Sequence, residues 1–276
     1  MTDESYNYFE QLKYFAAYCD DSIDNMGKLD GCNKILFDNL QIDSYLHDFR
    51  LKYSLNRFMT DSEEEIVFRI VRWVFEILLH TDYAADMIDY NNSKDMITKS
   101  RNDKVKLNCY CHAYILRDAL QSVGIIARIV YCLPINCDYF GNHVVVEYFS
   151  NSQNKWIFVD PTYNVFFADY KGNLLNIVEL RKKVISCEEI VIVDNNRFTF
   201  NNKHKGIELC DYLKMIIPIL IVLQYESVSS HYIHHYRLIP CRYLVPVQEI
   251  EIDSISYIHS YRSLYCSPIK NKGKTH

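Results

Sequence analysis

The chain reads as an α+β fold, and three observations carry that expectation. A helix-period segment opens near Asp61, a second opens at Cys109, and three β-rich segments separated by turn residues follow the second directly. A helix followed by an antiparallel sheet is an α+β arrangement. No internal repeat, low-complexity tract or composition break forces a second body onto the 276 residues. The expected organisation is a covering segment over 1–50, a core over 51–185, a β-rich extension of the same domain over 186–268 and a disordered tail over 269–276.

Residues 1–50 are polar and aromatic with weak helical periodicity. At the first helix, Ser62 and Glu65 have capping-box spacing, and Glu63 and Glu64 suit the positive end of a helix dipole. Ile66, Ile70, Trp73, Val74, Ile77 and Leu78 recur at helical spacing until near His80, with Trp73 as a core anchor. Residues 91–106 are charged and aperiodic, so a loop is expected. From Cys109, the residues Ala113, Leu116, Ala119, Leu120 and Val123 share one face, and Gly124 is a natural C-terminal stop. Strands are expected over 125–133, 143–149 and 156–159, with the polar run SNSQNK as the turn between the last two. After Asp160-Pro161 come short strands and turns, a mixed region, and alternating segments such as 254–259.

Composition narrows the function classes. A hydrophobic content of 49% with 7 Gly and 6 Pro describes an ordered globular chain. A net charge of −5 and a pI near 6.1 offer no electrostatic footprint for nucleic acid or an anionic membrane. The acidic start is unlike a signal peptide, and the longest apolar run, 215–223, has nine residues and contains Pro218. That is far below the roughly 20 needed to span a bilayer. A cytoplasmic location is expected, so most of the ten cysteines should be free thiols. Cys32, Cys187, Cys210 and Cys241 read as small buried hydrophobes. The 23 tyrosines are spread over the whole chain and fit core and surface filling.

Cys109, His143 and Asp160 supply a thiol, an imidazole and a carboxylate, the parts of a thiol-nucleophile site. Cys109 opens its helix, where free backbone N–H groups and the dipole favour a thiolate and can receive an oxyanion. His143 opens one strand and Asp160 closes another. If Tyr148 pairs with Lys155, residue numbers across the hairpin sum to about 303, and His143 faces Asp160 directly.

Two metal sites are weighed and set aside. Cys109-x-Cys111-His112 with Cys132-x₄-Cys137 lacks the two-residue spacing of a zinc knuckle. On a strand, His231 and His235 would share a face while His234 points away, with no carboxylate or cysteine implied. Neither a metal nor a cofactor is expected.

The same stretch resembles the transglutaminase-like superfamily of papain-type cysteine enzymes. The resemblance rests on Cys109, Ala113, Gly124, Ile125, Ala127 and Arg128 at the family's spacing, on the HVV–KWIFVDPT pair, and on Arg72-Trp73-Val74 with His80. It runs from about residue 50 past 180, including Glu179-Leu180-Arg181, and is similar to bacterial members. The spacing to Gly124 selects Cys109 over Cys111 as the nucleophile. Leu107 stands where Gly is common, leaving less room for a substrate beside the cysteine, and Ile126 stands where Pro is common. The resemblance implies a papain-like core and a cysteine peptidase or amidase acting on a peptide, protein or small amide. A transglutaminase-type transfer to an amine and a non-catalytic module on the same fold are the alternatives. Cys109 would attack, His143 would act as base, and Asp160 would orient His143.

Overall fold

The computed structural model describes residues 10, 42–59, 62–83, 88–134, 142–194, 209–220, 222–228, 233–238 and 255–258. Most of the expected covering segment, the 269–276 tail, Cys32, Cys137, His231 and Cys241 lie outside them.

Side-chain caps set where the helices begin. Asp43 Oδ1 accepts from the Leu46 N–H at 2.8 Å and starts α1, Ser44–Lys52, which buries Leu46 and Phe49. Ser62 Oγ accepts from the Glu65 N–H at 3.3 Å and starts α2, Glu63–Ile77. The inner stripe of α2 is Val67, Ile70, Val71 and Val74, and the helix stops three residues short of His80. Trp73 therefore lies at the border of the stripe. It is half-buried, with its ring 5.6 Å from that of Tyr53, rather than a fully buried anchor.

A third helix, α3 over Ser93–Asn102, occupies the expected loop. Its buried positions are Ser93, Met96, Ile97 and Ser100, which keep helical spacing although half of them are serines. Each serine hydroxyl is used: Ser93 donates to Asp118 at 2.8 Å, and Ser100 accepts from the Leu79 N–H at 3.3 Å. Polar residues on the inner stripe hid its period from a hydrophobicity reading. Asn92 caps this helix through the N–H groups of Lys94 and Asp95.

Helix α4, Cys109–Ser122, is capped by Asn108, whose Oδ1 accepts from Cys111 N–H at 3.2 Å. It ends at Gly124, whose φ of +88° is the left-handed conformation that favours glycine. The strands β1 (Ala127–Leu133), β2 (His143–Ser150) and β3 (Lys155–Val159) then pair antiparallel in the order β3-β2-β1. The next pair, β4 (Val165–Ala168) and β5 (Val191–Asp194), forms a separate antiparallel ribbon around α5, Ile177–Ile185. Helix α6, Leu209–Ile216, leads into β6 (Val222–Val228), which pairs with the free edge of β1. The sheet continues through β7 (Ile233–Leu238) to β8 (Ile255–Ile258), and the β7/β8 pair is parallel.

Both faces of the β1–β3 part of the sheet are covered, and all eight residues of β2 are buried. Ala127, Ile129, Val144, Val146, Ile157 and Val159 share one cluster with the apolar face of α4. Val130, Val145 and Phe158 share the other with Leu180 of α5 and Tyr212 and Ile216 of α6. The α2 start also pins the β2–β3 turn, because Glu63 accepts from the Asn151 N–H at 2.8 Å and from Ser150 Oγ at 3.0 Å.

One ion pair is buried between strands and helix. Arg128 and Glu147 are cross-strand partners joined at 2.6 Å and 3.0 Å, and the guanidinium lies 4.0 Å from the Trp156 ring centroid. The second Glu147 oxygen accepts from the Ile177 N–H at 3.0 Å, at the positive start of α5. Removing one partner leaves an uncompensated buried charge, so Arg128→Met or Glu147→Leu should each cost about 3–5 kcal/mol in urea unfolding. The double variant should recover much of that loss. A double variant as unstable as the sum of the singles would contradict this account.

Candidate active site

Cys109 occupies the first position of α4, with partial solvent access. The approach to it is fixed from the side, since Leu107 N–H donates to the Leu79 carbonyl at 2.7 Å and Thr81 N–H donates to the Leu107 carbonyl at 3.0 Å. Leu107 itself is fully buried in the core cluster.

His143 and Asp160 meet as sequence spacing suggests, but by a different register. The hairpin pairs Val146 with Val159 and Ser150 with Lys155, so partner numbers sum to 305 rather than 303. Asp160 is therefore diagonal to His143. The shift is two residues, which keeps both side chains on the same face because side chains alternate with a period of two. His143 Nε2 lies 2.7 Å from Asp160 Oδ2. The Cys109 thiol is near enough to the ring to add to the upward shift of its pKa.

Asp160 is fully buried and held on all sides. Tyr212 OH, from α6, donates to Oδ2 at 2.9 Å, and the Thr162 N–H donates to Oδ1 at 2.8 Å. Burial alone would raise its pKa, yet the His143 charge and these hydrogen bonds hold it below the usual carboxylate range. Burial would depress His143, but the Asp160 charge, its hydrogen bond and the Cys109 contacts lift it to about 10.

The neighbouring thiols are in different surroundings. Burial pushes Cys111 up to about 12, and fully buried Cys132, the cross-strand partner of His143, is raised well above the ordinary thiol value by burial and by the Asp160 charge. Cys187 and Cys210 are exposed rather than buried. Among the described residues, Cys109 is thus the partly exposed thiol that lies near the His143–Asp160 pair.

Two further histidines and a tyrosine line the same side. The His143 ring is 5.9 Å from Tyr163, which is 6.3 Å from His80, which is 5.5 Å from His112. His112 is buried beneath Cys109, one helical turn on, and burial followed by the nearby His80 pushes it down to about 3. Sequence reasoning missed Asn108, Tyr163 and Tyr212. Asn108 carried a usable signal, an Asx residue before a helix; Tyr212 carried none, being 52 residues from its partner.

Residues 53–161, which contain Cys109, His143 and Asp160, match the model of the transglutaminase-like superfamily. No curated protein matches the chain. Among solved structures, the chain is similar to the periplasmic domain of TgpA from Pseudomonas aeruginosa, determined with bound ethylmercury. Identity is 22% and the TM-score 0.34, over 46% of this chain and 48% of that one. It is also similar to a candidate cysteine protease from Cytophaga hutchinsonii, at 14% identity and a TM-score of 0.36, over 68% of this chain and 61% of that one. The chain thus spans less than two thirds of either structure.

The His143–Asp160 pair gives a pH dependence with a definite sign. A ring that holds its proton to about 10 when folded but to about 6.5 when unfolded stabilises the fold fully below pH 6.5. That contribution is lost as pH rises toward 10. His112 acts oppositely, since its neutral form is favoured and its contribution is lost as pH falls from about 6.5 toward 3. Urea unfolding of the wild type should therefore weaken between pH 6.5 and 10 more steeply than that of His143→Gln. Parallel profiles would contradict the coupling.

The candidate site thus lies inside the one stretch, residues 53–161, that is similar to the transglutaminase-like superfamily.

Proposed function

We propose that the protein is a thiol-dependent acyl-transfer enzyme that hydrolyses a peptide or amide bond in the cytoplasm. The supporting observation is the buried His143–Asp160 pair, 2.7 Å apart, with the partly exposed Cys109 near the ring at the start of a helix.

Cys109 Sγ attacks the carbonyl carbon while His143 Nδ1 holds the thiol proton. The carbonyl oxygen becomes an oxyanion, and the Cys109 N–H, beyond reach of any intrahelical acceptor, donates to it. The C–N bond then breaks as His143 passes its proton to the leaving nitrogen, and a thioester remains on Cys109. Water gives a proton to His143 and attacks the thioester carbon. The sulfur leaves, and the acid product is released. Asp160 stays ionised and holds the ring so that Nδ1 faces the sulfur.

Two features favour the proposed setting. No helix among the described residues is long and apolar enough to cross a membrane, and Cys109, Cys111, Cys132, Cys187 and Cys210 are free thiols.

Alkylation with iodoacetamide, mapped by mass spectrometry across pH, tests the reading. Cys109 should react faster at pH 6–7 than the exposed Cys187 and Cys210, and a peptide-amide screen should find activity that Cys109→Ala abolishes. His143→Ala should lower kcat/KM by about 10²–10⁴-fold. Reactivity at Cys109 no greater than at Cys187, or activity surviving in Cys109→Ala, sinks the proposal. Product appearing only when an amine is supplied would replace water by an amine as acceptor.

A further inference from the structure

The side of Cys109 away from the histidines is lined by tyrosines. Successive side chains on an α-helix are separated by about 100°, so Tyr110 and His112 project to opposite sides of Cys109. The His112 side leads through His80 and Tyr163 to His143. On the Tyr110 side, the Tyr110 ring lies 6.2 Å from Tyr131 in a stacked arrangement, with an interplanar angle of 30°, and 6.1 Å from Tyr90. All three rings are half-buried. Tyr114 supports them from behind, buried, 5.7 Å from Tyr110, with its hydroxyl donating to the Asn91 carbonyl at 3.2 Å. Tyr131 precedes Cys132, the partner of His143 in the sheet, so the tyrosines sit at the level of the candidate site.

The chemistry assigns the two sides. His143 must protonate the leaving group, so the leaving group lies on the His143 side of the attacked carbonyl. The acyl part of the substrate then extends the other way, across Tyr110. We propose that Tyr90, Tyr110 and Tyr131 form the acyl-side recognition surface, selecting a substrate with an aromatic side chain next to the carbonyl that Cys109 attacks. Half-buried aromatic faces offer offset or edge-to-face stacking to a planar ring, and their hydroxyls tolerate the polar backbone passing beside them. This inference rests on the thiol acyl-transfer reading and names its substrate class.

The test uses matched thiol reagents on the full chain. N-acetyl-phenylalanine chloromethyl ketone and its alanine analogue share one reactive group and differ in the ring, and iodoacetamide reports the thiol alone. The phenylalanine reagent should label Cys109 with saturation and roughly 10-fold faster than the alanine analogue. Normalised to iodoacetamide, that preference should fall to roughly 2-fold in Tyr131→Ala and persist in Tyr131→Phe. Should Tyr131→Ala not fold, as judged by its thermal melt, the more peripheral Tyr90→Ala supplies the same comparison. Equal rates for the two ketones on a wild-type Cys109 that iodoacetamide labels selectively would overturn the tyrosine surface and leave the acyl-transfer reading standing. A Cys109 that iodoacetamide does not select would remove both.

Discussion

A charged carboxylate enclosed in the core is the constraint on which the site's architecture turns. Asp160 is fully buried, and an unpaired carboxylate there would cost far more than a small domain's net stability. Its ionisation is possible only while its donors stay in place. They come from different parts of the chain: His143 at the start of β2, the Thr162 N–H in the turn after β3, and Tyr212 on α6. The β2–β3 register, the 161–164 turn and the docking of α6 must therefore form together. The same requirement fixes the orientation of the His143 ring, which lies near Cys109.

Cys109 is positioned by a second, independent device. Asn108 caps α4, and backbone hydrogen bonds through Leu107 tie that cap to residues 79–81. Because Leu107 is buried, the helix start is anchored from below while Cys109 keeps solvent access. Buried Arg128 and Glu147 do similar work deeper in the sheet, joining β1, β2 and the start of α5. Polar groups thus set orientation at three depths of a core otherwise built from Val, Ile, Leu and Phe.

Much of this was legible along the chain, for identifiable reasons. Strands β1 to β3 and the α4 stripe are apolar runs of the right period, and Gly124 marks the stop its positive φ requires. The proximity of His143 and Asp160 survived a register error of two residues because parity, not absolute register, decides the face. The 93–102 helix was missed because Ser93 and Ser100 satisfy partners from other segments, which no local pattern records. Cys187 and Cys210 show the limit of residue-type averages: a cysteine is usually buried, but these two are exposed.

Local chemistry is thus what the sequence by itself determined: helix starts and stops, strand parity, and a thiol, an imidazole and a carboxylate within one α+β stretch. Only the tertiary structure decided which hydrogen bonds keep Asp160 ionised, that Tyr212 is among its donors, and that tyrosines and histidines flank Cys109 on opposite sides. The physical reason is distance along the chain. Caps and periodicity act over a few residues, whereas the partners of a buried charge are whatever folding brings within 3 Å.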